Sequence, residues 1–239
     1  MFKFDENTFN HMPFVAHGSA PEFAPKQFCC IMIGGKWKLH HYDSGVWKRI
    51  ATGLPEDAIE CSPTGEYDLA TGKWSLSFIG GGFEGGRGFK LYLIADISNP
   101  NPEAIVDADV GFVFKNKIVY GGRTGAFFIS GGNGTKAVSF TDAEYLYRIS
   151  YNPNNPTELL ISGQKTGGEI FSRIFNPITR KLHELSVNGV PAYKAAFFDG
   201  DCYFAYRDDT DGFEDRHIVK ANAYTLTELD YKSVIEIDI

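Results

Sequence analysis

The sequence predicts an all-β protein, with a five-bladed β-propeller of antiparallel blades as the leading architecture. Three observations support this prediction. Aromatic residues make up 15% of the 239 residues, and Phe and Tyr suit the half-buried surface of a sheet. Glycine and proline, at 26 and 11 residues, supply turns throughout the chain. A pattern of apolar strand, tight turn and apolar strand occurs five times.

The five predicted hairpins are spread over most of the chain. Their turns lie about 41 residues apart on average, a period typical of four-stranded propeller blades. The turns centre on Gly35, Gly72, Asn116, Asn154 and Gly200. A β-sandwich is the alternative, but it does not explain why the unit recurs five times.

Further apolar segments follow the hairpins and are predicted to form the outer strands, at residues 89–97, 169–175 and 181–185. Residues 234–237 read as a strand, and we expect it to pair with the N-terminal segment and close the ring. Apolar residues with helical periodicity are missing, so no helix longer than about two turns is expected.

The chain is predicted to be a single domain spanning residues 1–239, because no linker or low-complexity tract divides it. Two segments resemble ligand loops without completing them. Residues 80–88 are rich in glycine but lack the Gly-Lys-Ser/Thr ending of a phosphate loop. Residues 209–212 lack the downstream Glu of a calcium loop. We expect a connecting loop at the first segment and a turn at the second.

Charge and composition limit the possible partners. A net charge of −7 gives no basic surface for nucleic acid or an anionic membrane, and no apolar run is long enough for a membrane helix. A secretion signal is also missing, so we expect cytoplasmic synthesis and a soluble chain, with no assignment of its final location. The expected partner is a carbohydrate or another protein.

No cofactor or metal is predicted. The four cysteines lack metal-type spacing and are expected to be free, buried thiols: Cys29, Cys30, Cys61 and Cys202. His40 and His41 are neighbours on a predicted strand and point to opposite faces, so they cannot chelate one ion. The three tryptophans, Trp37, Trp47 and Trp74, are expected in the core rather than at a sugar site.

Polar and aromatic residues lie where the innermost strand of each predicted blade begins. In a propeller these positions converge on one end of the central channel. A ring of carboxylates, cations and aromatic faces suits a hydroxyl-rich ligand, although such residues also line channels that hold only water. The residues predicted to bind the ligand are His17, Tyr147, Arg148, Tyr193 and Lys194.

One segment carries a family resemblance. Residues 58–63, Ala-Ile-Glu-Cys-Ser-Pro, run into residues 72–78, Gly-Lys-Trp-Ser-Leu-Ser-Phe. This segment resembles the acid-bearing blade of the five-bladed glycoside hydrolases of the invertase/levanase and arabinanase group. The resemblance implies that Glu60 is a general acid, with Asp107 or Asp109 as the partner carboxylate. The first predicted blade has no Asn-Asp-Pro segment, where that group carries its nucleophile.

These observations favour a lectin-like propeller that binds sugar at the end of the channel, and they lean away from catalysis. One alternative is a glycoside hydrolase that uses Glu60 with Asp107 or Asp109. The other is a structural or protein-interaction propeller, such as a component of a virus particle. Such a propeller is expected to have a large exposed apolar patch.

Overall fold

The computed structural model describes residues 27–33, 36–43, 46–54, 63–81, 88–122, 124–152, 155–192, 194–198, 201–208, 215–221, 223–230 and 234–238. These residues form antiparallel β-sheets and contain no helix, which confirms the all-β prediction. No described helix could therefore cross a membrane. The protein divides into two compact units, Met1–Tyr120 and Gly121–Ile239.

The first unit contains two sheets and a hairpin. Strands β1 to β3 and strands β4 to β7 each pair in sequence order, and β8 pairs with β9. The strands are β1 (Gln27–Ile33), β2 (Lys36–Asp43), β3 (Val46–Arg49), β4 (Thr64–Asp68), β5 (Lys73–Gly80), β6 (Lys90–Ile94), β7 (Pro102–Asp107), β8 (Val110–Phe114) and β9 (Lys117–Gly121), whose last residue begins the second unit.

The second unit contains the remaining strands. One sheet has the order β12-β13-β14-β15-β16, with β20 also pairing with β15, while β17-β18-β19 forms another, and β11 pairs with both β10 and β21. The strands are β10 (Ala126–Gly131), β11 (Gly134–Phe140), β12 (Ala143–Asn152), β13 (Asn155–Lys165), β14 (Ile170–Asn176), β15 (Lys181–Val187), β16 (Val190–Pro191), β17 (Lys194–Phe198), β18 (Asp201–Asp208), β19 (Asp215–Ala221), β20 (Thr225–Glu228) and β21 (Val234–Asp238).

In all five predicted hairpins the two flanking strands pair with each other: β1–β2, β4–β5, β8–β9, β12–β13 and β17–β18. Local chemistry explains two of the turns. Lys115 and Asn116 have φ of 47° and 59°, the two positive values that a type I′ hairpin requires. In the β4–β5 turn, the Asp68 carboxylate accepts hydrogen bonds from Ala70 N–H and the Thr71 hydroxyl.

Among the described residues, the C-terminal strand has a partner that the sequence did not predict. Residues 234–238 form β21, but this strand pairs with β11 in antiparallel register, with Val234 opposite Phe140. The alternation of Val234 (buried) and Ile235 (exposed) matches the two faces that β11 already presents. The N-terminal segment lies outside the described residues, as do most of residues 80–88 and all of residues 209–212.

The core of the first unit is aromatic and aliphatic. Trp74 is 4% exposed and packs its ring edge-on against Phe28, with centroids 5.3 Å apart. Leu39, Leu76 and Phe78 belong to the same buried cluster. Trp74 is thus a core residue, as predicted.

The sheet β12–β16 has two buried faces. One packs Leu160, Ile174 and Leu185 into an apolar cluster that includes Cys202, a free and fully buried thiol whose pKa burial raises to about 12. The other face carries Phe171 and Phe175, which make ring contacts with Phe140 of β11. The predicted free thiol is confirmed for Cys202.

Candidate functional site

The predicted site residues fall in both units. Asp107 is the last residue of β7 and Asp109 lies in the bend before β8, in the first unit. Tyr147 and Arg148 lie on β12, and Lys194 begins β17, in the second unit. The other three predicted residues, His17, Glu60 and Tyr193, lie outside the described residues.

Asp107 forms a surface ion pair. Its carboxylate oxygen lies 2.8 Å from Lys90 Nζ, and its side chain is 82% exposed. The two residues face each other across the β6–β7 ladder, so the pair is a cross-strand contact. Asp109 is half-buried. Water screens the Asp107–Lys90 pair, which therefore contributes little to stability.

Strand β12 is irregular at the point where the predicted ligand residues lie. Leu146 pairs with Gly163 and Arg148 with Ser162, so Tyr147 is an additional residue between two successive pairs. Gly163 lies at the closest approach, because a Cβ there would stand 2.2 Å from the Tyr145 carbonyl oxygen. A β-bulge of this kind re-aims side chains and is frequent beside binding sites.

The bulge brings three polar side chains together. Tyr145 is directly opposite Gln164, and the Tyr147 hydroxyl donates a hydrogen bond to Gln164 Oε1. Tyr145 and Tyr147 are 39% and 40% exposed. We call Tyr145, Tyr147 and Gln164 the tyrosine surface. It combines two accessible aromatic rings with an amide whose orientation is fixed by a neighbouring hydroxyl.

Two neighbouring features complete the tyrosine surface. The Glu144 carboxylate accepts a hydrogen bond from the Tyr145 hydroxyl, and this raises the pKa of Tyr145 because the protonated phenol is favoured. Gly168 lies in the β13–β14 turn with φ of 98°, and a Cβ there would contact Gln164 Nε2 at 3.5 Å. The glycine therefore leaves the amide open on that side.

Arg148 follows Tyr147 in β12 and lies beside buried residues of the sheet. It is half-buried and lies in one row with Ser162 and Ser172, which are 1% and 0% exposed. The two serine hydroxyls are hydrogen bonded at 2.7 Å, which satisfies each of them inside the sheet packing. The row therefore forms a polar strip beside the apolar cluster of Leu160, Ile174 and Leu185 on the same face.

A buried ionic network lies on the opposite face of the same sheet. Arg173 is 1% exposed and donates to both oxygens of Asp142 and to Glu184 Oε2. Its guanidinium also lies over the Phe171 ring, 4.1 Å from the centroid. Arg173 thus has charge-paired hydrogen bonds in its plane and an aromatic face above it, which offsets the cost of burying it.

The network holds the two segments that carry the tyrosine surface. Asp142 immediately precedes β12, and its carbonyl accepts a hydrogen bond from Thr166 N–H just after β13. Lys165, the last residue of β13, binds Glu184 and Glu169 through Nζ at 3.1 and 3.0 Å. Arg173 lowers the pKa of Asp142 through its hydrogen bonds, so this carboxyl is ionised at neutral pH.

The sequence prediction names Tyr147 and Arg148 but neither Gln164 nor the ionic network. A glycine inside the β13 pattern, Gly163, is the one available signal, because an isolated glycine in a strand indicates a bulge or a close approach. Nothing local marks Arg173, since its partners Asp142 and Glu184 lie 31 and 11 residues away in the sequence.

Among the residues that the structure describes, no cluster of three or more His, Cys, Asp or Glu residues could bind a metal. His40 is 7% exposed, and its Nδ1–H donates to the Lys38 carbonyl at 2.9 Å. Burial lowers the pKa of His40, so it is neutral at neutral pH. His40 and His41 are consecutive residues of β2, as expected.

Neither the models of known protein families nor the curated protein sequences give a match to this protein.

Proposed function

We propose that the protein is a carbohydrate-binding β-propeller and that the tyrosine surface is part of its sugar site. The observation that carries the proposal is the pair of tyrosine rings, each about two-fifths exposed, beside a Gln164 amide held by the Tyr147 hydroxyl. Aromatic faces pack on the C–H surfaces of sugars, while an amide both donates to and accepts from hydroxyl groups. Such a surface suits recognition without requiring catalysis.

The propeller architecture is part of this proposal. It is supported by the five predicted hairpins, which occur at the predicted spacing, each as an antiparallel pair of consecutive strands. Tyr145 and Tyr147 lie near the start of β12, the first strand of its hairpin. In a propeller, the first strand of each blade borders the central channel, so this position agrees with a site at one end of the channel.

A glycan-array screen with matched variants tests the sugar site. We expect wild type to bind at least one glycan and Tyr147→Ala to weaken that binding by about tenfold, the loss of one aromatic contact worth about 1.4 kcal/mol. Tyr224→Ala is the matched control, because Tyr224 is 39% exposed but interacts electrostatically with Glu158 near the start of β13. Gln164 of the tyrosine surface lies about 20 Å further along that strand, so Tyr224 is remote from the proposed site.

The outcomes separate the proposed functions. Equal loss in both variants would contradict a role for the tyrosine surface. A glycan consumed by wild type but only bound by Glu60→Gln would make the protein a hydrolase. That hydrolase would need a partner carboxylate ~5–5.5 Å away for retention or ~6.5–9.5 Å away for inversion. An array without any binding would reject both sugar functions.

One observation favours a protein-interaction module as the second candidate. Ile235 and Ile237 are 50% and 58% exposed and lie on the same face of β21, the last strand of its sheet. Exposed apolar residues in such a row are typical of an interaction surface. This candidate becomes the leading one if the array shows no binding.

A further inference from the structure

Two Asn-Gly dipeptides, Asn133-Gly134 and Asn188-Gly189, lie in hairpin turns of the second unit. Asn-Gly is the dipeptide in which a backbone nitrogen most easily reaches the preceding side-chain amide, because glycine has no side chain to obstruct the approach. The two turns nevertheless place that nitrogen in different environments.

Asn188 and Gly189 are the two central residues of the β15–β16 turn. Their φ values are 52° and 78°, both positive, as a type I′ turn requires. The ladder closes with Val187 opposite Val190, so Gly189 lies outside the paired residues. Asn188 and Gly189 are both exposed, and nothing lies within 4 Å of the Gly189 Cβ position.

Asn133 has the other arrangement. Its glycine, Gly134, is the first residue of β11 and pairs with Gly131 across the β10–β11 ladder. The backbone of Gly134 is therefore held by the sheet, whereas the backbone of Gly189 is held only by the turn. A nitrogen that takes part in a ladder is harder to deprotonate and to move.

We propose that Asn188 is a site of spontaneous deamidation and that Asn133, in the same protein, is protected. This inference goes beyond the proposed function and does not depend on it. Water or hydroxide removes the Gly189 amide proton, and the nitrogen attacks Asn188 Cγ. A new bond forms between that nitrogen and Cγ, the bond from Cγ to Nδ2 breaks, and ammonia leaves with the proton returned by water. The product is a succinimide ring.

Hydrolysis of the ring completes the reaction. Water adds to one of the two ring carbonyls: cleavage at Cγ gives an ordinary aspartate at position 188, and cleavage at the backbone carbonyl gives an isoaspartyl linkage. The net change replaces an amide with a carboxyl group, consumes one water and releases one ammonia, with no oxidation or reduction. Either product adds a negative charge, and the isoaspartyl product adds one atom to the main chain.

The modification has a structural consequence because the turn borders the core. Val187 and Ala192 flank it at 1% and 0% exposure, and both belong to the apolar cluster with Cys202. An isoaspartyl residue cannot keep the two-residue turn in register, so β16 would separate from β15. The Ala192 N–H to Leu185 carbonyl hydrogen bond, now 3.1 Å, would be lost.

Peptide mapping by mass spectrometry tests the inference with an internal control. Native protein and protein unfolded in urea are incubated in mildly alkaline buffer, and the fraction converted is followed at Asn188 and Asn133. We expect both sites to convert at similar rates in the unfolded protein. In the native protein, Asn188 should retain most of that rate while Asn133 is slowed by about tenfold or more.

Two results would overturn the proposal: native Asn188 slowed as strongly as Asn133, or native Asn133 converting as fast as Asn188. Gly189→Ala provides a second check, since a side chain at the attacking residue should slow conversion at position 188 in the unfolded protein as well. Conversion of Asn133 should be unchanged in that variant.

Discussion

Trp74 in the first unit and Arg173 in the second are both large, polar-tipped and almost fully buried, at 4% and 1% exposure. They are accommodated in different ways. Trp74 packs among Phe28 and Tyr67, and no described residue accepts a hydrogen bond from its indole N–H. The guanidinium of Arg173 donates hydrogen bonds to the carboxylates of Asp142 and Glu184.

The difference follows from the cost of burying each group. One neutral N–H without a partner costs roughly 1–3 kcal/mol, which the apolar area of an indole can offset. An unpaired guanidinium would cost far more, so its burial requires opposite charges in good geometry. Shape therefore dominates at Trp74, whereas pairing dominates at Arg173.

The largest expected effect is at Arg173. Arg173→Ala should lower the free energy of unfolding by about 3–5 kcal/mol, because it leaves Asp142 without its hydrogen-bonded cation, leaves Glu184 with Lys165 alone, and removes the guanidinium from the Phe140 and Phe171 rings. Arg173→Met should cost nearly as much, since the thioether fills the space but leaves the carboxylates without the guanidinium. Urea unfolding of both variants measures the difference, and a clearly smaller loss for Arg173→Met would contradict the dominance of pairing at Arg173.

An intermediate effect is expected at Trp74. Trp74→Phe should cost about 1–2 kcal/mol, the loss of packed ring area alone, because no described residue accepts from the indole N–H. The same urea unfolding measurement applies. A loss as large as that of Arg173→Ala would mean that the indole N–H makes a hydrogen bond that matters, and the contrast between the two residues would fail.

The smallest effect concerns acid. Arg173 lowers the pKa of Asp142 in the folded protein, so the ion pair stabilises above the unfolded Asp pKa of about 3.9 and loses that contribution as pH falls. The Asp142 side chain is 41% exposed, and screening limits the pH-dependent part to about 1 kcal/mol or less. The stability gap between wild type and Asp142→Asn should therefore narrow below about pH 4.

Much of the fold could be predicted because turns are local. A two-residue turn such as Lys115-Asn116 carries its own preference for positive φ, so the hairpin around it can be read from a few residues. The partner of β21 could not be read this way. Its pairing with β11 joins residues about one hundred positions apart, such as Lys136 and Glu236, and only tertiary packing selects it.

The candidate site was predictable in part for the same reason. Tyr147 and Arg148 belong to a hairpin that the pattern identifies, and their strand was assigned correctly. Gln164 joins them only because the extra residue in β12 changes the register, and a pattern of alternating residues does not reveal where a bulge falls. Arg173 depends on partners from two other segments, Asp142 just before β12 and Glu184 within β15, which no local pattern connects.

Because of the bulge, neighbouring residues of β12 are under different evolutionary constraints. Leu146 and Arg148 occupy regular ladder positions opposite Gly163 and Ser162, so a change in either disturbs the sheet. Tyr147 is inserted between those pairs and is 40% exposed, so another residue can replace it while the ladder stays intact. A lineage could thus change the chemistry of this surface through one codon, without first acquiring a compensating mutation in the fold.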